Sequence, residues 1–428
     1  MSRTRTRTLT LRSLVLPALL LTVAGGVAAQ TPSSAVEVSW HVPGAEADSR
    51  VIRAYDFDGP DVIDIELDLP PDAVLRIRAN ERFVPTPLPG FGAFYGDVRP
   101  IVVNDDGQDV PEPGRIVVPA GDWLGVRNRF HAVVVNGIGT DEPNVVIDYA
   151  EPNQPAIEYA PGAGKLALRI YAGPIDNARL REVDPVLTNM LFAALWEWLR
   201  QLCFGMLWLL TTIDRFIGHI GWSIVLLSLA VKILMLPLTK YADSLQASVN
   251  RTQALLQPKI DEIKKNYKGE EAHERTLAVF KAHDVSPMYP FKSLVGFLIQ
   301  IPIFIAAFDM LGENIALDGQ SFLWIDDLAI PDQWIALPLT LPFFGGYLNL
   351  LPVLMTGITL LTSWKQTDPH LTPELERAQT KRLYLMAGAF FLLFYTFPAG
   401  MVLYWTTNNV LHLGKILLFP DRQTAPIS

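Results

Sequence analysis

Residues 221–240 read GWSIVLLSLAVKILMLPLTK, a run apolar enough to enter a lipid bilayer that nevertheless carries a lysine, Lys232, past its middle. A charged side chain inside a membrane-spanning helix costs about 2.5–3.5 kcal/mol on insertion scales, so we expect such a residue to have a function. The alternative is that Lys232 snorkels. It lies about seven residues, roughly 10 Å, from the end of the segment, and its long stem could carry the ammonium group to the interface.

Four more apolar segments follow, and together they predict a membrane domain. Of 428 residues, 50% are hydrophobic and 18% charged, and the apolar runs are concentrated in the second half of the chain. By length and apolarity, the predicted spans are residues 219–239, 293–311, 348–364, 383–397 and 400–418. The first half has the composition of a polar domain, and the net charge of −9 argues against a general nucleic-acid binder.

The charges of the loops predict the side of the membrane that each loop faces. Residues 240–292 and 365–382 are rich in lysine and arginine. Residues 312–347 have neither and carry acidic side chains: Glu313, Asp318, Asp326, Asp327 and Asp332. By the positive-inside rule, the basic loops are cytoplasmic and the acidic loop is outside. The odd number of predicted spans then leaves the short tail 420–428 in the cytoplasm.

Residues 1–29 have the features of a secretory signal. Four arginines precede the apolar run LVLPALLLTV, and the small residues Val27 and Ala29 fit a cleavage site. An uncleaved anchor is the alternative, but in either case the following residues are exported. Cys203 is the only cysteine of the chain, so we expect no disulfide framework in the exported part.

The exported residues 30–177 predict a β-sandwich-like periplasmic domain. Runs such as VIDIELDL and KLALRIY alternate with a period of two and are separated by turn-forming residues. His41 and His131 are interpreted as structural, since no carboxylate or second histidine stands at ligand spacing to either. Without a catalytic, cofactor or metal motif, the domain is predicted to bind a partner or to brace the molecule, and the protein is predicted not to be an enzyme.

Two further segments complete the predicted architecture. Residues 185–218 mix tryptophans with frequent charges and favour an amphipathic helix at the headgroup level, with a full span as the alternative. Residues 240–292 predict a cytoplasmic helical hairpin whose basic residues are either a solvated face or a surface for anionic lipid or ribosomal RNA. The predicted fold class is therefore a polytopic α-helical membrane domain of 219–419, with five core transmembrane helices and this hairpin, preceded by an exported β-sandwich-like domain.

Polar residues recur on the predicted spans and could together line one groove. Ser228 lies four residues before Lys232 on the same helical face. The candidate residues of a hydrophilic, water-containing groove in the inner leaflet are Lys232, Ser228, Gln300, Thr359, Ser363, Tyr404, Asn408 and His412. Each of the uncharged residues could instead be an ordinary interhelical hydrogen-bonder.

Six strings in order resemble the YidC/Oxa/Alb family of membrane protein insertases. They are IYAGP at 170–174, the run at 221–240, LLQPKI at 255–260, LIQIPIF at 298–304, FLWIDDL at 322–328 and FPAGMVLYWTTNN at 397–409. Three features depart from the family pattern: Lys232 stands where arginine is usual, the exported domain is shorter than in long members, and the chain ends without a basic tail. The resemblance therefore implies insertase activity more strongly than ribosome-coupled action.

The resemblance implies a multi-pass protein of the bacterial inner membrane that inserts nascent membrane proteins without nucleotide hydrolysis or cofactors. A client's apolar segment would slide along the second and fourth core spans, where the candidates are Phe297, Phe304, Phe308, Phe391 and Phe394. The lipid bilayer, the Sec translocase and, through the hairpin, the ribosome are implied partners. A small-solute transporter or channel is the alternative; it would need paired ionisable residues, and Asp309 near the end of its span is interpreted as interfacial.

Overall fold

The computed structural model describes residues 34–43, 50–58, 61–70, 72–137, 145–149, 154–161, 164–365 and 373–418. The described residues belong to one compact unit. The predicted signal at 1–29 and the tail at 420–428 lie outside the described residues.

The amino-terminal part, which we call the β-domain (residues 34–174), consists of two six-stranded antiparallel sheets. The strand orders are β2-β1-β4-β11-β10-β7 and β3-β12-β9-β8-β5-β6. The strands are β1 Val36–His41, β2 Arg50–Tyr55, β3 Asp61–Leu69, β4 Val74–Ala79, β5 Arg99–Asn104, β6 Gly107–Asp109, β7 Gly114–Ile116, β8 Trp123–Arg127, β9 His131–Asn136, β10 Val145–Asp148, β11 Ala156–Tyr159 and β12 Gly164–Pro174. This β-rich part agrees with the predicted fold class.

Strands β8 and β9, in the middle of the second sheet, are buried on both faces, which explains the apolar run of β9. Val133 and Val135 enter the core between the two sheets. Ala132 and Val134 point the other way and join a core that continues into the helices. Because side chains alternate along a strand, a sheet covered on both faces needs a continuous apolar run rather than an alternating one. The middle of this sheet is therefore covered by the helices, whereas β3 and the first half of β12 keep exposed side chains.

A short linker leads from β12 to the helices. Helix α1 covers Asn177–Val183, and a 3-10 helix covers Pro185–Met190, where the Asp184 side chain accepts a hydrogen bond from the Val186 N–H. Helix α2, Glu197–Ile217, begins later than the predicted amphipathic region of 185–218. The chain turns at the buried Phe192, whose positive φ of 55° interrupts the helical geometry.

The carboxyl-terminal part is helical, as predicted. Its helices are α3 Ile220–Leu234, α4 Leu236–Asn266, α5 Gly269–Ala282, α6 Leu294–Gly312, α7 Leu350–Lys365, α8 Pro373–Phe394 and α9 Ala399–Leu418, with the hairpin strands β13 Ile335–Leu341 and β14 Gly345–Leu348. Helix α9 packs against both α3 and α7, while α2 packs against α3 and α6. Helices α4 and α5 pack on each other.

The first predicted span, 219–239, is not one straight helix. Helix α3 ends at Leu234, and α4 departs at an angle of 58°. Pro237 lies in the first turn of α4, where its missing N–H is tolerated, whereas inside a continuous helix it would remove a hydrogen bond. Lys232 consequently lies in the last turn of α3.

By length and composition, the described residues contain one helix able to cross a membrane, at Tyr289–Gly312. A second candidate exists if α3 and α4 together count as one bent span. Helix α7 is apolar but shorter, with 16 residues. The five-span topology therefore stays a prediction.

Candidate functional site

The two predicted groove residues of α3 lie against α9. Ser228 and Lys232 are one turn apart on the same face of α3. The Ser228 hydroxyl is fully buried and lies 3.1 Å from the carbonyl oxygens of Ile224 and of Tyr404. A hydroxyl has one hydrogen to donate, so it serves one of the two carbonyls at a time. Ser228 thus stabilises the contact between α3 and α9 and does not face water.

Lys232 reaches the backbone of α9 one turn further along. Its Nζ donates a hydrogen bond to the carbonyl oxygen of Asn408 over 3.0 Å. The side chain is half-buried, and in the described part of the chain this carbonyl is its one hydrogen-bond partner. An ammonium group has three N–H donors, so donors remain for another acceptor. The negative end of the α3 dipole also favours a cation in this turn.

Helix α7 is joined to α9 through Asn409 and not through the predicted Asn408. Asn409 Nδ2 donates to Thr359 Oγ1 over 2.9 Å. Asn408 Nδ2 instead donates to the carbonyl of Tyr404 at 3.2 Å. Adjacent helical residues point about 100° apart, so two neighbouring asparagines can serve two helix contacts. Asn409 was not among the predicted residues. Its position directly after Asn408 was the feature of the sequence that could have indicated it.

The other predicted groove residues are more dispersed. Gln300 is exposed on α6 and makes no hydrogen bond within the described part of the chain. Ser363 is half-buried one turn after Thr359, and Tyr404 is buried. His412 is half-buried on α9, and the charged groups near it are Lys232, Lys415 and Asp243. The structure therefore groups Ser228, Lys232, Asn408 and His412 along α3 and α9, and leaves Gln300 apart.

Three of the predicted slide residues belong to an aromatic cluster between α6, α8 and α9. The Phe304 ring centroid lies 5.0 Å from that of Trp405 and 6.1 Å from that of Phe394. Phe308 lies 4.9 Å from Phe397. Phe394 is only 1% exposed, so in this conformation it is not accessible from lipid.

A small apolar cavity adjoins this cluster, lined by Phe304, Ala307, Phe308, Leu311, Phe394, Met401, Tyr404 and Trp405. Phe391 is half-buried on α8, with its ring 5.3 Å from that of Tyr395. The side chain of Phe297 lies outside the described residues. Trp405, Phe397 and Phe390 also belong to the cluster and were not predicted, although Trp405 and Phe397 stand in the quoted run at 397–409.

One buried arginine joins the β-domain to the helices. Arg129, between β8 and β9, donates from Nε to the carbonyl of Gly312 over 2.6 Å and from Nη1 to the carbonyl of Ala329 over 2.7 Å. Its guanidinium carbon lies 4.4 Å from the ring centroid of Tyr95. Burial lowers the pKa of Arg129 to about 10, so it stays charged at neutral pH. Because Gly312 ends α6, the cation satisfies a terminal helix carbonyl.

A second contact holds the turn between α8 and α9. The 3-10 helix Gly90–Tyr95 places the Gly92 N–H 3.3 Å from Thr396 Oγ1, within that turn. A Cβ atom at Gly92 would overlap the carbonyl oxygen of Thr396, so the backbones approach as closely as glycine permits. The Phe91 ring lies 5.1 Å from Phe343. The β-domain therefore contacts α6 and the α8–α9 turn directly.

The histidine of β9 and the cysteine of α2 have surroundings typical of structural residues. The His131 ring lies 4.9 Å from Phe57 and 6.1 Å from Tyr55, and burial lowers its pKa to about 4. Cys203 is fully buried. Within the described ranges, no group of three His, Cys, Asp or Glu side chains could hold a metal ion.

Comparison with known proteins gives one family match and several relatives. The family described as the 60Kd inner membrane protein matches residues 212–424. A membrane protein insertase YidC of Janthinobacterium sp. (strain Marseille) is 31% identical over 265 residues, which cover 60% of this chain and 43% of that protein. A protein of the same name from Cupriavidus taiwanensis is 28% identical over 316 residues, covering 71% of this chain and 51% of the relative.

The chain spans about half the length of the curated relatives it matches. A solved structure described as an active YidC insertase is 18% identical, with a TM-score of 0.38 over 87% of this chain and 86% of that chain. The sequence match covers every helix from α3 to α9.

Proposed function

The chain belongs to the YidC/Oxa/Alb family, and from this premise we propose that it is an insertase that inserts and helps to fold integral membrane proteins. The match of the family to residues 212–424 carries the proposal. The relatives' names describe insertases, and the comparisons give no support to a small-solute transporter or channel. Because the chain spans only about half the length of these relatives, its activity is inferred from the shared region.

The proposed location is the bacterial inner membrane, in agreement with the family description. The β-domain would lie in the periplasm, and α4, α5 and the carboxyl terminus in the cytoplasm. The support is the charge asymmetry: lysine and arginine are frequent in residues 240–292 and absent from 312–347. Five core spans would require α3, α6, α7, α8 and α9 each to cross the bilayer.

In the proposed mechanism, Lys232 receives the polar, often acidic, tail of a client at the inner leaflet. This role is supported by the surroundings of the Lys232 ammonium group. Among the described residues, its one hydrogen-bond partner is the neutral carbonyl of Asn408, so no carboxylate bonded to it neutralises its charge. Asp243, the acidic group near His412, is itself paired with Lys415 at 3.4 Å. A client carboxylate would therefore find an unneutralised ammonium, and charge-assisted hydrogen bonds are about twice as strong as neutral ones.

The apolar segment of the client would then move into lipid beside α6 and α8. Phe304 and Phe308 are half-buried, and Phe394 is enclosed between α6 and α9, so we propose that these helices separate to accept a client. No covalent step is required. Apolar residues contribute about −0.3 to −0.6 kcal/mol each over roughly 20 residues, and moving one negative charge outward gains about 2.3 kcal/mol per 100 mV.

Nascent membrane proteins and the bilayer are the proposed partners, with the Sec translocase and the ribosome as further candidates. The support for ribosome or anionic-lipid contact is the row of basic side chains on α4 and α5. Exposed lysines at 259, 264, 265 and 281 are part of this row. Each basic residue near an anionic surface contributes about 1 kcal/mol.

The test compares two clients that differ only in the charge of the translocated tail. Insertion is scored by protease protection in cells depleted of the resident insertase and supplied with this chain. We expect Lys232→Leu to reduce insertion of the acidic-tailed client about tenfold, which corresponds to the loss of about 1.4 kcal/mol. Lys232→Arg should retain activity, because the charge is kept.

The matched control is Lys240→Leu, which removes an exposed lysine of α4 and leaves the Asp243–Lys415 pair in place. It should leave both clients unaffected. Equal insertion of the two clients by Lys232→Leu and by the parent, at matched protein levels, would contradict the role of Lys232. Failure of the parent chain to insert either client would contradict the insertase function itself.

A further inference from the structure

The hairpin β13–β14 exposes large apolar side chains. Leu339 is 66% exposed, and Trp334, Ile335 and Tyr347 are each at least 40% exposed. No charged residue stands between Asp332 and Lys365. A water-facing hairpin with this composition would be an aggregation site, so the surface needs a cover.

The tip and the base of this hairpin are held by the protein, which leaves the strands between them open. At the tip, the Phe344 ring lies 5.1 Å from Tyr395, and Gly345, with φ of +80°, packs against Pro89. At the base, the Gln333 N–H donates to Asn349 Oδ1 over 3.1 Å. The hairpin is therefore a fixed part of the molecule, and its exposed face is not the result of a free loop.

The helix that follows is too short for the bilayer. Helix α7 has 16 residues, about 24 Å at 1.5 Å per residue, whereas the hydrocarbon core is about 30 Å thick. Its cytoplasmic end is marked by Trp364 and Lys365, residue types that favour the interface. The mismatch therefore falls at the outer end of α7, where a locally thinned bilayer brings the interface to the level of the hairpin, which joins α7 without an intervening charge.

We propose that the exposed face of β13–β14 lies in the interfacial layer of the outer leaflet and extends the lipid-facing surface of α7. The partner is lipid, because the apolar surface continues from the hairpin into a helix that crosses the bilayer. Trp334 and Tyr347 are of the types that occupy this layer. Among the described residues, neither outer edge of the hairpin has a strand partner, so the hairpin stays at the headgroup boundary and does not enter the hydrocarbon core. This inference rests on the proposed membrane topology of α7.

The test uses the full chain in vesicles of phosphatidylethanolamine and phosphatidylglycerol. Single cysteines are introduced as Leu339→Cys, Val353→Cys in the first turn of α7, and Ser321→Cys in the same loop. All three positions are exposed. The parent, whose Cys203 is buried, reports background labelling. Each cysteine carries a nitroxide, and its relaxation is measured with oxygen, which concentrates in lipid, and with a nickel chelate, which stays in water.

We expect the labels at 339 and 353 to show an oxygen-to-nickel accessibility ratio several-fold above that at 321. A lipid signature at 353 with a water signature at 339 would overturn the hairpin inference alone. Low accessibility of 339 to both reagents would mean that protein covers the hairpin, either a second copy or a client, and would also overturn it. Water signatures at both 339 and 353 would overturn the membrane topology on which the inference rests.

Discussion

At the scale of single residues, two cations of this protein meet backbone carbonyls in different ways. Lys232 is half-buried and donates to one carbonyl, that of Asn408. Arg129 is buried and divides its donors between the carbonyls of Gly312 and Ala329. A planar guanidinium suits a fixed two-point contact, whereas an ammonium on a flexible stem can exchange partners. The arrangement of Arg129 therefore favours a permanent brace, and that of Lys232 favours a site that accepts a ligand.

His131 gives a prediction for the pH dependence of stability. Its folded pKa of about 4 lies below the ordinary value near 6.5, because burial disfavours the charged ring. Between these values, the unfolded chain binds a proton that the folded chain does not, so the free energy of unfolding falls as pH decreases. From pH 7 to pH 5 this group should remove at most about 2 kcal/mol. The measurement is denaturant unfolding of the detergent-solubilised chain, followed by near-ultraviolet circular dichroism.

The comparison variant is His131→Phe, which keeps an aromatic ring beside Phe57 and Tyr55. Other titrating groups are shared by both proteins, so the difference between them isolates the histidine. The variant should lose less stability than the parent over this range. An equal loss in the two proteins would show that His131 is protonated in the folded state as readily as in the unfolded one.

At the scale of elements, short segments decide how the larger ones meet. Pro237 allows α4 to turn away from α3, and the 3-10 helix Gly90–Tyr95 reaches the α8–α9 turn. A short segment has few side chains with which to hold a neighbouring element in place. Its contact with that element therefore depends on how closely the two backbones approach. Gly92 illustrates this, because even one methyl group has no space against Thr396.

We therefore predict that Gly92→Ala destabilises the protein. The new Cβ would force the 3-10 helix away from the turn after α8, and overpacking of this kind costs about 1–3 kcal/mol. Thermal unfolding in detergent should show a lower midpoint than the parent. Gly96→Ala is the matched control, since a Cβ there meets its nearest atom at 3.4 Å, an ordinary contact. Equal midpoints for the two variants would mean that this contact contributes nothing to stability.

At the scale of the whole molecule, the β-domain and the helices share one core. Trp123 and Val134 of the second sheet belong to the same buried cluster as Leu227 of α3 and Met401 of α9. The Trp123 indole also donates to Asp184 over 2.9 Å in the linker. This shared core supports the predicted bracing role of the β-domain, which stays a prediction, and removal of the β-domain would expose the apolar surface that it covers.

The proposed topology predicts which positions a membrane-impermeant thiol reagent can reach. Asp326→Cys should be labelled in intact spheroplasts, whereas Lys264→Cys should be labelled only after lysis. Both positions are exposed, so a difference in labelling reports the side of the membrane and not burial. The parent controls for Cys203, which is buried. Labelling of position 264 from outside would reverse the assigned orientation.

Local patterns in the sequence were sufficient to predict the β-rich first part, the helical second part and Lys232 as the exceptional charge, while the family was predicted from the resemblance of six strings. The hydrophobic period and the composition of a segment can be read without knowing which other segments it contacts. The partners were not predictable in this way: Lys232 with Asn408, Thr359 with Asn409, and Phe394 in the interior instead of facing lipid. These contacts depend on how helices distant in sequence rotate about their axes when they pack. Packing of all the side chains together sets that rotation, and no single segment encodes it.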